Sequence, residues 1–149
     1  MTMRKSGLKR RLAGVGTSAV LAAGLVTGIS GTAHAGGYGC NGTQVYSQDF
    51  MGEGAYTNTV VATVYGYWDG SHNCEVAVKR VFVGQSTRTG ITLWSNVDSP
   101  KDDTGYYSSY AGPVSVYAAG SCVWEEVDMW DPAGNEIAQS YNYQPHNCG

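Results

Sequence analysis

The chain is poor in charge and in the residues that most often carry chemistry. Of its 149 residues only 14% are charged, and it holds three histidines, four prolines and two phenylalanines. Basic side chains are scarcest where they would matter: five of the nine (Arg4, Lys5, Lys9, Arg10 and Arg11) fall in the first eleven positions. Beyond residue 35, four basic side chains stand against all twelve acidic ones, which leaves −8 with histidine neutral. Binding a phosphate backbone needs a basic stripe, so this balance excludes nucleic acid as a partner. After residue 35 no apolar run is long enough to span a bilayer. No G-x-S-x-G elbow and no C-x-x-C knuckle is present anywhere.

What is there begins with an export signal. Residues 1–11 are basic, residues 12–29 are apolar but diluted with Gly, Ser and Thr, and Ala33-His34-Ala35 gives a small-x-small cleavage pattern before Gly36. That order predicts a secretory signal peptide over residues 1–35. A membrane anchor is the competing reading, but 12–29 is glycine-rich and barely matches a ~30 Å hydrocarbon core. The remainder, 36–149, is expected to be a single domain, too short to include a separate catalytic one. It is expected outside the cell, released or held at the wall or spore by contacts, with no membrane partner after cleavage.

Four cysteines, Cys40, Cys74, Cys122 and Cys148, all lie in that domain. An even count in an exported domain reads as two disulfides. A structural zinc site would need closer spacing than the 34, 48 and 26 residues seen here.

The domain shows strand patterning with turn signals between strands: 43–50, 57–68, 74–83, 88–97, 106–118, 122–130 and 136–143. Asp69-Gly70 and Asp131-Pro132-Ala133-Gly134 are turn chemistry. Residues 106–118 read as one long strand broken at Gly112-Pro113, after a polar loop over 96–104. In 74–83, Cys74, Val76 and Val78 alternate with Glu75, Ala77 and Lys79. Placing the apolar set inward would also point Arg80 inward, so a β-bulge at Lys79-Arg80 is expected to correct the register. About seven short strands predict an all-β fold, an antiparallel β-sandwich or small barrel stapled by two disulfides. Hairpin arithmetic sets Cys40 opposite about Tyr65, with Cys74 just past the end of that same strand, and Cys148 within a few residues of Cys122. It favours Cys40–Cys74 and Cys122–Cys148 among the three possible connectivities.

Catalytic groups are thin. His72 sits in a turn beside Ser71, and His146 is near the C-terminus; a nucleophilic triad needs a base oriented by a third group, which neither placement supplies. Glu126 and Asp128 share a strand face with Trp124 and Trp130, a composition found in glycoside-hydrolase clefts. Carboxylates on one strand nevertheless make no groove. Asp98, Asp102 and Asp103 could offer oxygens to calcium, but the loop lacks EF-hand spacing and contains Lys101. No catalytic residue, metal or cofactor is assigned.

Aromatics are the unusual excess. Eleven Tyr, four Trp and two Phe outnumber the sixteen charged side chains beyond residue 35. Rings suit strands and cores, and exposed rings also serve as platforms for sugars. Tyr67, Trp68, Trp124 and Trp130 are the candidates for binding a carbohydrate or partner, and the same rings could favour self-association.

Several segments in order resemble the spore-associated protein A family of spore-forming actinomycetes. They are Val64-Tyr65-Gly66-Tyr67-Trp68, Asn73-Cys74-Glu75-Val76-Ala77-Val78-Lys79, Val83-Gly84-Gln85-Ser86-Thr87-Arg88, Gly105-Tyr106-Tyr107 with Tyr110-Ala111-Gly112-Pro113-Val114, and Ala119-Gly120-Ser121-Cys122-Val123. The resemblance spans about half of the domain and implies a small exported protein found with spores or aerial hyphae, with no established enzymatic activity. Only Cys74 and Cys122 carry over, as framework positions. The expectation is a non-enzymatic surface protein acting through aromatic sheet faces in adhesion or assembly. The alternatives are a carbohydrate- or wall-binding module, and an extracellular hydrolase inhibitor presenting the loop 96–104.

Overall fold

The computed structural model describes residues 36–148, so the export signal read over 1–35 lies outside them. Eight strands alternate with tight turns: β1 (Thr43–Met51), β2 (Val60–Trp68), β3 (His72–Lys79), β4 (Thr87–Ser95), β5 (Lys101–Tyr107), β6 (Tyr110–Tyr117), β7 (Val123–Trp130) and β8 (Glu136–Tyr141). They form two four-stranded antiparallel sheets, ordered β1-β2-β3-β6 and β5-β4-β7-β8. This is the disulfide-stapled all-β sandwich expected, and both cysteine pairings are as favoured, Cys40–Cys74 and Cys122–Cys148. Cross-links of this kind persist in an oxidising compartment. Among the described residues no helix is long and apolar enough to cross a membrane.

Three details of the sequence reading are corrected. The strand count is eight, because residues 101–104 form the start of an edge strand, with Asp102 opposite Thr92 and Thr104 opposite Gly90. An exposed edge tolerates polar residues on both faces, which made this stretch read as a loop. The chain then changes sheet at Ser108-Ser109, between β5 and β6, and not at Gly112-Pro113. Gly112-Pro113 lies inside β6, an edge strand, beside a register shift opposite Glu75 and Ala77. There a proline leaves no central ladder bond unmade. Gly112 has φ +98°, and a Cβ on it would meet the Glu75 carbonyl oxygen at 2.8 Å.

The third correction concerns which face of β3 is inside. Ala77 belongs to the main core between the sheets, with Val64, Val114 and Val116 from one sheet and Ile91, Leu93, Val127 and Met129 from the other. Glu75 and Lys79 share that inner face. Cys74 and Val76 face outward into a second, smaller core with Cys40 and Tyr67, flanked by Tyr65 and Val78. The residues before β1 cover this outer face, so both faces of the strand are buried, the apolar set outward and Asn73, Glu75 and Lys79 inward around Ala77. No bulge at Lys79-Arg80 is needed. Pairing runs unbroken to Ala62 opposite Lys79, and Arg80 lies outside, donating to the Thr63 hydroxyl (2.7 Å) and the Tyr65 hydroxyl (2.6 Å).

Lys79 is therefore a buried cation without a carboxylate. Its ammonium donates to the Gln85 carbonyl (2.8 Å), the Thr87 hydroxyl (2.7 Å) and the Tyr107 carbonyl (3.0 Å), which uses all three donors. Burial pushes its pKa down. This tie joins β3 to β4 and β5 across the sandwich.

Candidate functional site

The inner row of β7 reads Val123, Glu125, Val127, Met129, so alternation alone sets one carboxylate into an apolar row. On the opposing sheet, β3 places Glu75 between Asn73 and Ala77, also fully buried. The C-terminal segment closes the end of the sandwich over both. Cys148 is bonded to Cys122, and Val123 and His146 exchange backbone hydrogen bonds of 3.0 and 3.1 Å. The Asn142 amide also donates to the Glu125 carbonyl at 3.0 Å.

These ties set the His146 ring between the two glutamates. His146 Nε2 lies 2.7 Å from Glu75 Oε1, and Nδ1 lies 3.2 Å from Glu125 Oε2. The second contact is out of line for a hydrogen bond, and Glu75 Oε2, Glu125 Oε2 and His146 Nδ1 are all buried without a hydrogen-bond partner. Glu125 Oε1 is better served: the Tyr46 hydroxyl donates to it at 2.8 Å and the Asn142 side-chain amide at 3.1 Å. The Tyr46 ring stacks on His146 with centroids 3.7 Å apart. Gly66, opposite Glu75 on β2, leaves space for the Tyr46 side chain and the Glu75 carboxylate. A Cβ there would stand 3.0 Å from Tyr46 Cβ and 3.2 Å from both Glu75 Oε1 and Asn147 Nδ2.

Burial sets the electrostatics. It pushes Glu75 up to about 8. Glu125 rises to about 7, from burial first and the Glu75 charge second, with His146, Tyr46 and Asn142 opposing. Burial pushes His146 down, against the pull of Glu125. The cluster thus holds two carboxyls and one imidazole in a dry site, where each uncompensated charge is costly.

A second arrangement lies on the solvent face of the β5-β4-β7-β8 sheet. Trp124 stands opposite Trp94, whose ring meets Tyr141 at 4.9 Å, and Tyr141 meets Tyr143 at 4.2 Å. Six residues along β7, about 20 Å at strand spacing, Trp130 lies under the Arg88 guanidinium, 4.2 Å away. Tyr106, opposite Arg88, is exposed. Glu126 and Asp128 lie between the two aromatic groups. Burial, then the charges of Glu126 and Glu136, lift Asp128 to about 6 against the pull of Arg88.

The four candidate aromatics therefore do not converge. Trp124 and Trp130 share this outer face. Tyr67 is only 5% exposed beneath the residues preceding β1, on the other sheet. Trp68 packs against the main core. The disulfide cysteines Cys40, Cys74, Cys122 and Cys148 frame both ends of the chain. In the calcium candidate, the Asp98 oxygens accept from the Ser99 and Tyr117 amides, and Asp103 accepts from the Tyr107 hydroxyl and the Gly112 amide. Those carboxylates are occupied in holding turns and strand ends.

Ser71 and His72 do meet, Oγ to Nδ1 at 2.8 Å, but Asp69 accepts from the Ser71 hydroxyl and from both backbone amides. Its contact with the imidazole, Oδ2 to Nδ1 at 3.8 Å, is on the same nitrogen that meets Ser71, so it holds the turn and does not orient the ring from its far side. Comparison with family models, with curated proteins and with solved structures finds no match.

Sequence reasoning missed Tyr46, Asn142 and the pairing of Glu75 with His146. The available signal was Glu125 in phase with Val123, Val127 and Met129: an acid on an apolar face implies a buried partner.

Proposed function

We propose that this is an exported, non-enzymatic protein of the cell or spore surface that adheres to polysaccharide through the outer face of the β5-β4-β7-β8 sheet. The observation that carries this is the spacing on β7: indoles at Trp124 and Trp130, about 20 Å apart, with Glu126 and Asp128 between them on one face. Aromatic rings offer flat apolar platforms for sugar faces, and the carboxylates between them can accept hydrogen bonds from hydroxyls. Trp94, Tyr141 and Tyr143 extend the first platform, and Tyr106 stands beside the second. The basic N-terminus with its Ala33-His34-Ala35 pattern and the two disulfides support export.

The edges argue for glycan over strand-to-strand assembly. β5 carries Lys101, Asp102 and Asp103, β6 carries Pro113, β1 is irregular between Gln44 and Tyr46, and β8 is short and begins with Glu136. These are devices that discourage edge pairing. Of the segment 96–104 that the inhibitor reading would present, residues 101–104 lie within β5 and residues 96–100 form the connection from β4.

Retention of the oxidised domain on chitin, cellulose, peptidoglycan and washed spores tests the reading. W124A and W130A should each lower retention about tenfold, equivalent to 1.4 kcal/mol, with an unchanged melting midpoint. Absence of wild-type retention on every polymer, together with concentration-dependent self-association, would overturn it in favour of an assembling protein.

A further inference from the structure

We propose that His146 and Glu125 bind a divalent transition-metal ion, zinc foremost, with Glu75 orienting the imidazole. The inference is independent of the glycan surface.

Three features carry it. The first is charge. Two fully buried carboxylates face one imidazole, and among the described residues their only ion-pair contacts are with His146. Lys79, on the same face of β3, is committed to Gln85, Thr87 and Tyr107. A dication with neutral imidazole balances both carboxylates at once, whereas without it each must take up its own proton.

The second is geometry. His146 Nδ1 and Glu125 Oε2 are 3.2 Å apart, misaligned for hydrogen bonding and otherwise without partners. Two tetrahedral ligands, each 2.0–2.1 Å from zinc, stand about 3.3–3.4 Å apart. On the far side of the ring, Nε2 faces Glu75 Oε1 at 2.7 Å. A proton held there by Glu75 leaves the Nδ1 lone pair for the ion, the carboxylate–histidine–metal relation that fixes the tautomer of a ligand.

The third is donor type. Calcium and magnesium take six or more oxygens, but one imidazole with carboxylate suits zinc or cobalt. The Tyr46 hydroxyl and the Asn142 amide both serve Glu125 Oε1, which leaves Oε2 as the oxygen for the ion.

The test uses the purified oxidised protein, stripped with chelator and dialysed against zinc or cobalt. One ion per chain is expected, with a raised melting midpoint and tetrahedral cobalt absorption. H146N and E125Q should abolish binding, E75Q should weaken it about 10–100-fold, and H72Q should leave it unchanged. Nitrogen NMR of the wild type keeps the test valid if a buried variant fails to fold: zinc must shift His146 Nδ1. Substoichiometric uptake with an unmoved melting midpoint, or a shift confined to His72, would overturn the proposal.

Discussion

Removal of the two disulfides in turn gives a quantitative check on what holds this small domain together. Cys40–Cys74 closes a separation of 34 residues and Cys122–Cys148 one of 26. Loop-closure entropy alone gives the pair about 3.8 and 3.5 kcal/mol, nearly equal. The native contacts differ. Cys40 and Cys74 are 4% and 8% exposed and form half of the small core under Tyr67 and Val76, whereas Cys148 is exposed. Replacing Cys40 and Cys74 by alanine also removes two buried sulfurs and adds a cavity cost of about 1 kcal/mol. C40A/C74A should then cost roughly 4–5 kcal/mol and C122A/C148A about 3.5 kcal/mol. Against a total of about 5–15 kcal/mol, the first variant approaches marginal stability. Urea melts followed by Trp fluorescence read this directly: with a slope near 1.5 kcal/mol per molar, C122A/C148A moves the midpoint down by about 2 M. A loss below about 1 kcal/mol for either variant, or the reverse order, would refute the reasoning.

Three further outcomes follow from the interior. Gly66→Ala should destabilise by about 1–2 kcal/mol net, overpacking against Tyr46 and Glu75 outweighing the stiffer unfolded chain; an unchanged urea midpoint would count against Gly66 as the floor of the site. Lys79→Met should cost about 3–5 kcal/mol, because it leaves the buried Thr87 hydroxyl and the partly buried Gln85 and Tyr107 carbonyls without their donor, and a loss under about 1 kcal/mol in the same melts would contradict the role assigned to the ammonium. In chelator-treated protein, stability should fall as pH rises from 7 to 8. Glu75 and Glu125, raised to about 8 and about 7, keep protons in the folded state that the unfolded chain has already released, so their contribution is lost on the way up. His146, pushed down by burial, has the opposite sign: its contribution is lost as pH falls below the ordinary imidazole range, so it opposes the carboxylates near pH 6 and is spent by 7. Tyr46, Asn142 and the Gln144 backbone also act on the cluster, the last raising His146 against its burial. Melting midpoints at pH 7 and 8 measure the slope; Glu75→Gln should flatten it, and a rising midpoint in the wild type would sink the assignment.

The sequence by itself determined what is local. Alternation, turn residues and hairpin lengths were enough for an all-β sandwich, and because cysteines at hairpin ends must lie near one another, for both disulfides. The same periodicity put Glu126, Asp128, Trp124 and Trp130 on one face of β7, where they lie. Period-two patterning states which residues share a face, but not which face is inside. In β3 both faces are buried, since the residues before β1 cover Cys74 and Val76, so only tertiary packing could place Glu75 and Lys79 between the sheets. Tyr67 was misjudged for the same reason: a ring on an outer face reads as exposed until another segment lies over it. The Glu75–His146–Glu125 cluster joins positions 71 and 21 residues apart in sequence, brought together by a crossing between sheets and a disulfide-anchored tail. A buried acid announces a partner, and the fold decides which.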